Sequence, residues 1–108
     1  MAAQLYPPKI PSVLPAFYGN ILIIPYTPNI SVGSEDYTGM VLQIKDFISS
    51  SAIATISTEQ ITTSAVTFDI SKINHLLTVG QFYRVQIAYC QDENIGIFSS
   101  VSTIKRTA

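Results

Sequence analysis

LTVGQFYRVQIAYCQDENIGIFSSVSTIK, residues 77–105, contains the most regular alternation in the chain. In an extended backbone, side chains two apart share a face. Tyr83, Val85, Ile87 and Tyr89 therefore form one side of a strand over Gln81–Tyr89, and Phe82, Arg84, Gln86 and Ala88 form the other. Gln91–Gly96 is polar and contains glycine, which predicts a hairpin loop. A last strand is expected over Ile97–Ile104, with Ser99-Ser100 interrupting its alternation, so a bulge or a change of face is expected there.

Similar patterns extend upstream. Ala65–Ile70 places Val66, Phe68 and Ile70 inward and Thr67 and Asp69 outward. Met40–Phe47 places Met40, Leu42 and Ile44 on the core side, with Val41, Gln43 and Lys45 facing water. Ala52–Thr58 is a weaker strand of small and β-branched residues, expected near an edge, after the break at Ser49-Ser50-Ser51. Ile21–Tyr26 is a continuous apolar run, read as a strand buried on both faces at its start, and Pro25, lacking an N–H, is expected to end or bulge the regular pairing. Thr27–Gly39 is a long polar loop. Between the strands at 65–70 and 81–89, Ile73, Leu76 and Leu77 have helical spacing. Ser71 is the expected N-cap and Gly80 the stop, which predicts one or two helical turns crossing between sheets. Residues 1–20 carry four of the six prolines, which excludes a helix; an extended arm becoming a first edge strand near Ile10–Leu14 is expected, with Tyr18-Gly19-Asn20 as the turn.

These elements predict an all-β chain: an antiparallel sandwich of six or seven strands with a short helical crossover before the penultimate strand. The domain reading is an arm over 1–20 and a single sandwich over 21–108, since 108 residues hold one core.

Composition narrows the function. Charged residues are 12% of the chain, about half the usual share, which suits a domain whose faces are covered by neighbours. Net charge is −1 and the six basic residues are scattered, so nucleic-acid binding is disfavoured. Lys105-Arg106, the one adjacent pair, reads as a solvated tail. The longest purely apolar run, Ile21–Ile24, is far too short for a membrane span, and the N-terminus lacks the pattern of a signal peptide. Cys90 is the only cysteine, so no internal disulfide forms.

Catalytic chemistry finds little footing. His75 and Cys90 lack the third group and oxyanion site that a nucleophile pair needs. Asp92-Glu93 with Asn94 offers too few oxygens for calcium and reads as a turn. Glu35-Asp36 reads as a polar loop, and Asn29-Ile30-Ser31 is a sequon that marks surface. No enzyme activity, cofactor or metal is expected. Tyr6, Tyr18, Tyr26 and Tyr37 lie outside the strongest strands and are the candidate contact residues, because tyrosine gives interface area at low entropic cost.

Leu77 and Tyr83 stand six residues apart before the alternating strand, which resembles the tyrosine corner of fibronectin type III domains, although the chain has no tryptophan for the early-strand position usual there. A closer resemblance is to the fibronectin-like (immunoglobulin-like) domain of virion structural proteins in phages of gut bacteria. It is carried by Gly80–Tyr89, Gly96–Val101 and Lys105, with Ile24-Pro25-Tyr26 and Gly39-Met40, and covers most of 20–106. The resemblance implies a fibronectin type III-like fold and a structural tyrosine corner at Leu77 and Tyr83. It also implies a non-enzymatic role in a phage particle assembled in the bacterial cytoplasm: a tail, connector or capsid-associated protein. The implied partners are other virion proteins and copies of the chain itself, with no nucleic acid and no membrane. Such domains often open longer chains, so the expectation is either a small virion protein or the first domain of a larger one. The alternative is a carbohydrate- or cell-surface-binding module, which predicts Tyr18, Tyr26 and Tyr37 clustered at one loop end.

Overall fold

The computed structural model describes residues 16–29, 32, 33, 36–62 and 64–107; the strand expected at Ile10–Leu14 lies outside them. Two antiparallel sheets share one core. The smaller has the order β1 (Ala16–Tyr18), β2 (Ile21–Pro25), β5 (Ala65–Asp69). The larger has the order β4 (Ala52–Thr58), β3 (Gly39–Asp46), β6 (Phe82–Gln91), with β7 (Asn94–Ile95) and β8 (Ser102–Lys105) both pairing with β6.

The alternation read from sequence sets which faces meet. Leu22 and Ile24 from β2 and Val66 and Phe68 from β5 are fully buried. They join Met40, Leu42 and Ile44 of β3 and Val85, Ile87 and Tyr89 of β6 in one apolar cluster. Each such burial contributes roughly 1.5–3 kcal/mol before chain entropy is counted. Pro25 does not end the pairing as expected: it stays in register with Ala65, and the Tyr26 N–H still donates to the Ser64 carbonyl at 3.0 Å. β4 is the outer strand of its sheet.

Several elements differ from expectation. Tyr18 belongs to β1 instead of a turn: it pairs with Ile21 across the two-residue loop Gly19-Asn20, where Gly19 has φ of 61°. A left-handed first loop position matches the twist of a tight hairpin, and glycine adopts it without steric cost. The helical crossover is reduced to one 3₁₀ turn, Asn74–Leu76, with no side-chain cap. Ser71 does not cap it. The Ser71 N–H donates to Asp69 Oδ1 at 2.9 Å, so the chain turns off β5 through the carboxylate instead. Leu77 is buried and Ile73 half-buried, but Leu76 points outward, because a 3₁₀ turn cannot hold the broad apolar face of a longer helix.

The last strand is split. Cys90 faces Ile95 and Val85 faces Ser102, so five steps along β6 oppose seven on the partner. The two extra residues bulge from the ladder between β7 and β8, leaving Ile97 and Val101 exposed. Ser99 repairs the gap. Its N–H donates to the Ile87 carbonyl at 2.7 Å, and its buried hydroxyl accepts the Ile87 N–H at 3.1 Å, standing in for a missing backbone oxygen.

The expected solvated tail is also corrected. The Arg106 N–H donates to the Gln81 carbonyl and continues the ladder past β8, so Arg106 shares the inward side of Ile104. Only 4% of it is exposed. Its guanidinium lies 4.6 Å from the centre of the Phe17 ring and donates to the carbonyls of Gly19 and Thr107 and to Asn74 Oδ1. The side chain ties the β1–β2 loop, the 3₁₀ turn and the end of the chain together.

Candidate interaction surface

Tyr83 is buried at the start of β6, and its hydroxyl accepts the Thr78 N–H at 2.7 Å while donating to Gln81 Oε1 at 3.2 Å. Leu77, just before that amide, packs into the core. Together they fix the path by which the chain passes from the smaller sheet to the larger.

The candidate contact tyrosines separate. Tyr6 lies outside the described residues. Tyr18 is 64% exposed at the β1–β2 hairpin. Tyr26 follows the far end of β2, about 17 Å along an extended strand from there. It is buried, and its hydroxyl donates to the Thr62 carbonyl at 2.6 Å. Tyr37 packs its ring against buried Tyr89 with centroids 4.6 Å apart. Burial, with Tyr37 and Tyr89 beside it, pushes the Tyr26 phenol up to about 12. Burial also raises Tyr89, whose hydroxyl accepts the Asn29 N–H. Tyr26, Tyr37 and Tyr89 thus close one end of the core, and no exposed platform forms from Tyr18, Tyr26 and Tyr37.

The remaining reactive residues stay apart. His75 is exposed on the 3₁₀ turn near the start of β6, whereas Cys90 is buried near its end, about 26 Å further along an extended strand. Burial, then Asp92 and Glu59, push the Cys90 thiol up, away from the reactive thiolate. Asp92 and Glu93 form a two-residue hairpin loop between β6 and β7. Among the described residues no group of three or more His, Cys, Asp or Glu could hold a metal ion. No helix among them is long and apolar enough to cross a membrane.

What the fold does assemble is the outer face of the larger sheet, and linear order hid it. Cross-strand pairing puts Lys45 opposite Arg84, Arg84 opposite Thr103, and Phe82 opposite Lys105. Phe47, one residue beyond β3, meets Phe82 with ring centroids 5.8 Å apart. The Arg84 guanidinium lies 5.2 Å from the centre of the Phe47 ring, and Lys105 Nζ 5.9 Å from that of Phe82. Three of the chain's six basic residues and two half-exposed rings therefore share one end of this face. The signal was the β3–β6 register, which cannot be read before the pairing is known.

At the opposite end of the same face, Gly39, Val41, Ser57, Cys90 and Ile95 line a shallow groove with Glu59, Asp92 and Glu93 around it. Lys72 reaches the groove from the smaller sheet, where it acts on Asp69. Between the two ends the face is neutral. Gln86 Nε2 donates to Gln43 Oε1 at 3.0 Å; Ala88 is buried, and so is Val41, which the alternation had assigned to water.

A second surface is the free side of β4. Among the described residues β4 pairs with β3 alone. Its sequence, AIATIST, has no charge and no proline. The outer side of β5 is treated differently: the chain leaving β4 folds across it, with Thr67 N–H donating to the Gln60 carbonyl and Thr62 N–H to that of Ala65.

No family model and no curated protein matches the chain.

Proposed function

We propose that this chain is a fibronectin type III-like, non-enzymatic structural module of a phage virion, in a tail, connector or capsid-associated protein, that works by binding protein neighbours. The observation that carries the interaction reading is the free side of β4. It is seven residues of uncharged, proline-free edge in a chain with 12% charged residues. Unpaired N–H and C=O groups along such an edge are a template for another strand. Proteins that live alone usually guard these edges with lysine, proline or a bulge; here a single register shift at Ile53 leaves Ala54–Thr58 as regular, uncharged edge.

Two further features support the fold identity within the proposal. The fourth strand lies beside the third in the larger sheet, whereas in an immunoglobulin constant domain it would lie beside the fifth. The Tyr83 hydroxyl bonds to backbone five residues upstream, at the corner where the resemblance placed it. The virion setting comes from the sequence resemblance. Mass spectrometry of purified particles should find this polypeptide in stoichiometric amount, and its absence would end the proposal. Hydrogen exchange should then show the β4 amides slowing in the assembled particle relative to the isolated chain.

A further inference from the structure

We propose that the outer face of the larger sheet is a twofold interface for a second copy of this chain, the basic end of each copy lying on the acidic end of the other. The inference rests on the interaction-module reading and deepens it by naming one surface and one partner.

Charge complementarity within the single face carries the inference. Lys45, Arg84 and Lys105 stand at one end with Phe47 and Phe82. Glu59, Asp92 and Glu93 line the groove at the other, joined from the smaller-sheet side by Asp69 and Lys72, which leaves that end net acidic. The two ends lie about four cross-strand rows apart, or about 27 Å. Elsewhere on this face the exposed strand residues are uncharged.

Symmetry then sets the partner. Two sheets meeting face to face can be related by a twofold axis lying in the contact plane and running across the strands. Such an axis reverses strand direction, so the basic end of one copy meets the acidic end of the other, and the contact occurs twice. The exposed rings at one end face the groove at the other. The Gln43–Gln86 amide pair falls at the axis, where it meets its own copy. The face measures about 27 by 19 Å, so roughly 500 Å² per copy and about 1,000 Å² in all would be covered. That sits at the lower limit for a specific interface, so the dimer is weak in dilute solution and complete only where copies are concentrated.

Sedimentation velocity across about 1 µM to about 1 mM protein at low salt tests this. The expected result is a monomer–dimer equilibrium that stops at two copies and weakens by about tenfold when salt rises from roughly 50 to roughly 500 mM. Charge reversal gives the decisive arm. K45E/K105E makes both ends acidic, and E59K/E93K makes both basic; Asp92 is left alone because it holds φ of 52°. Each variant alone should stay monomeric, and the two mixed should form a heterodimer. Circular dichroism melts confirm that both variants fold. Four results would overturn the inference: a monomer at every concentration, a dimer that both reversals leave intact, reversed variants that do not pair with each other, or growth beyond two copies. Each leaves the interaction-module reading standing, because that reading is tested on the particle.

Discussion

Replacing Tyr83 with Phe removes one oxygen from a buried ring and leaves the rest of the packing in place. The hydroxyl accepts a short bond from the Thr78 N–H and makes a longer one to Gln81 Oε1. A bond of the first kind contributes about 0.5–1.5 kcal/mol net, and a stranded buried donor would cost about 1–3 kcal/mol. Thr78 is exposed, so water can reach its amide and the full penalty is not incurred. The loss should therefore be about 1–1.5 kcal/mol. For a domain of this size that lowers Tm by about 5–10 °C. Urea unfolding should show a lower midpoint at unchanged m, because no additional surface is exposed. Tyr18→Phe is the control, since that hydroxyl sits on a side chain that is 64% exposed; it should change stability by less than about 0.5 kcal/mol. If Tyr83→Phe were as stable as Tyr18→Phe, the hydroxyl would not anchor the corner and the reasoning would be wrong.

Gly39→Ala should destabilise by about 1–3 kcal/mol, because its Cβ would stand 2.6 Å from the Thr58 carbonyl oxygen, a backbone atom fixed by the β3–β4 pairing; an unchanged urea midpoint would contradict that geometry. Cys90 should react with a thiol reagent at pH 8 at least about tenfold more slowly in the folded chain than in urea, since it is buried and its thiol is pushed up by burial, Asp92 and Glu59; equal rates would place it at the surface. The Asp46 carboxyl lies below its usual 3.8 because the carboxylate accepts from the Ser49 N–H, the Ser49 hydroxyl and the Ile48 N–H. A lowered native value means this stabilisation is complete above the unfolded value and lost as pH falls through the native one. The acid side of a stability–pH curve should therefore flatten below pH 4 in Asp46→Asn, and a curve parallel to the parent's would show that the turn does not depend on that charge.

How much of this was legible in the sequence depended on whether a property was local. The inward sides of β3, β5 and β6 follow from period-two alternation, and those residues are buried. β2 was read as buried on both faces at its start because its run is continuously apolar, but it alternates, with Ile21 exposed and Leu22 and Ile24 buried. The split between β7 and β8 was only half visible. Ser99-Ser100 marked the place, but the two-residue excess is a property of a ladder with two sides, and one strand read alone cannot show it. Arg106 was misread because charge outweighed alternation, although Ile104 two residues earlier already assigned it inward. The crossover differs for the opposite reason: apolar spacing at Ile73, Leu76 and Leu77 suggested a helix, but the segment from Asp69 to Leu77 forms a turn closed by the Ile73 N–H on the Ile70 carbonyl and then a single 3₁₀ turn. The outer face was not legible at all. Residues 45, 47, 82, 84 and 105 become neighbours only through register.

The sheet edges divide in a way that links fold to role. The outer side of β5 is bridged by the chain leaving β4, through Gln60, Ile61 and Thr62. On the last strand, two extra residues break the flat run, and the Ser99 hydroxyl satisfies the Ile87 N–H inside so that the bulge leaves no orphaned donor. Both arrangements make strand addition unfavourable, by cover in one case and by distortion in the other. β4 is distorted only near its start, where Ile53 is the extra residue between Ala52 and Ala54; from Ala54 to Thr58 it pairs regularly with β3 and carries no charge. The physical consequence is directional: a strand added along Ala54–Thr58 would extend the larger sheet and leave its outer face free for a different contact.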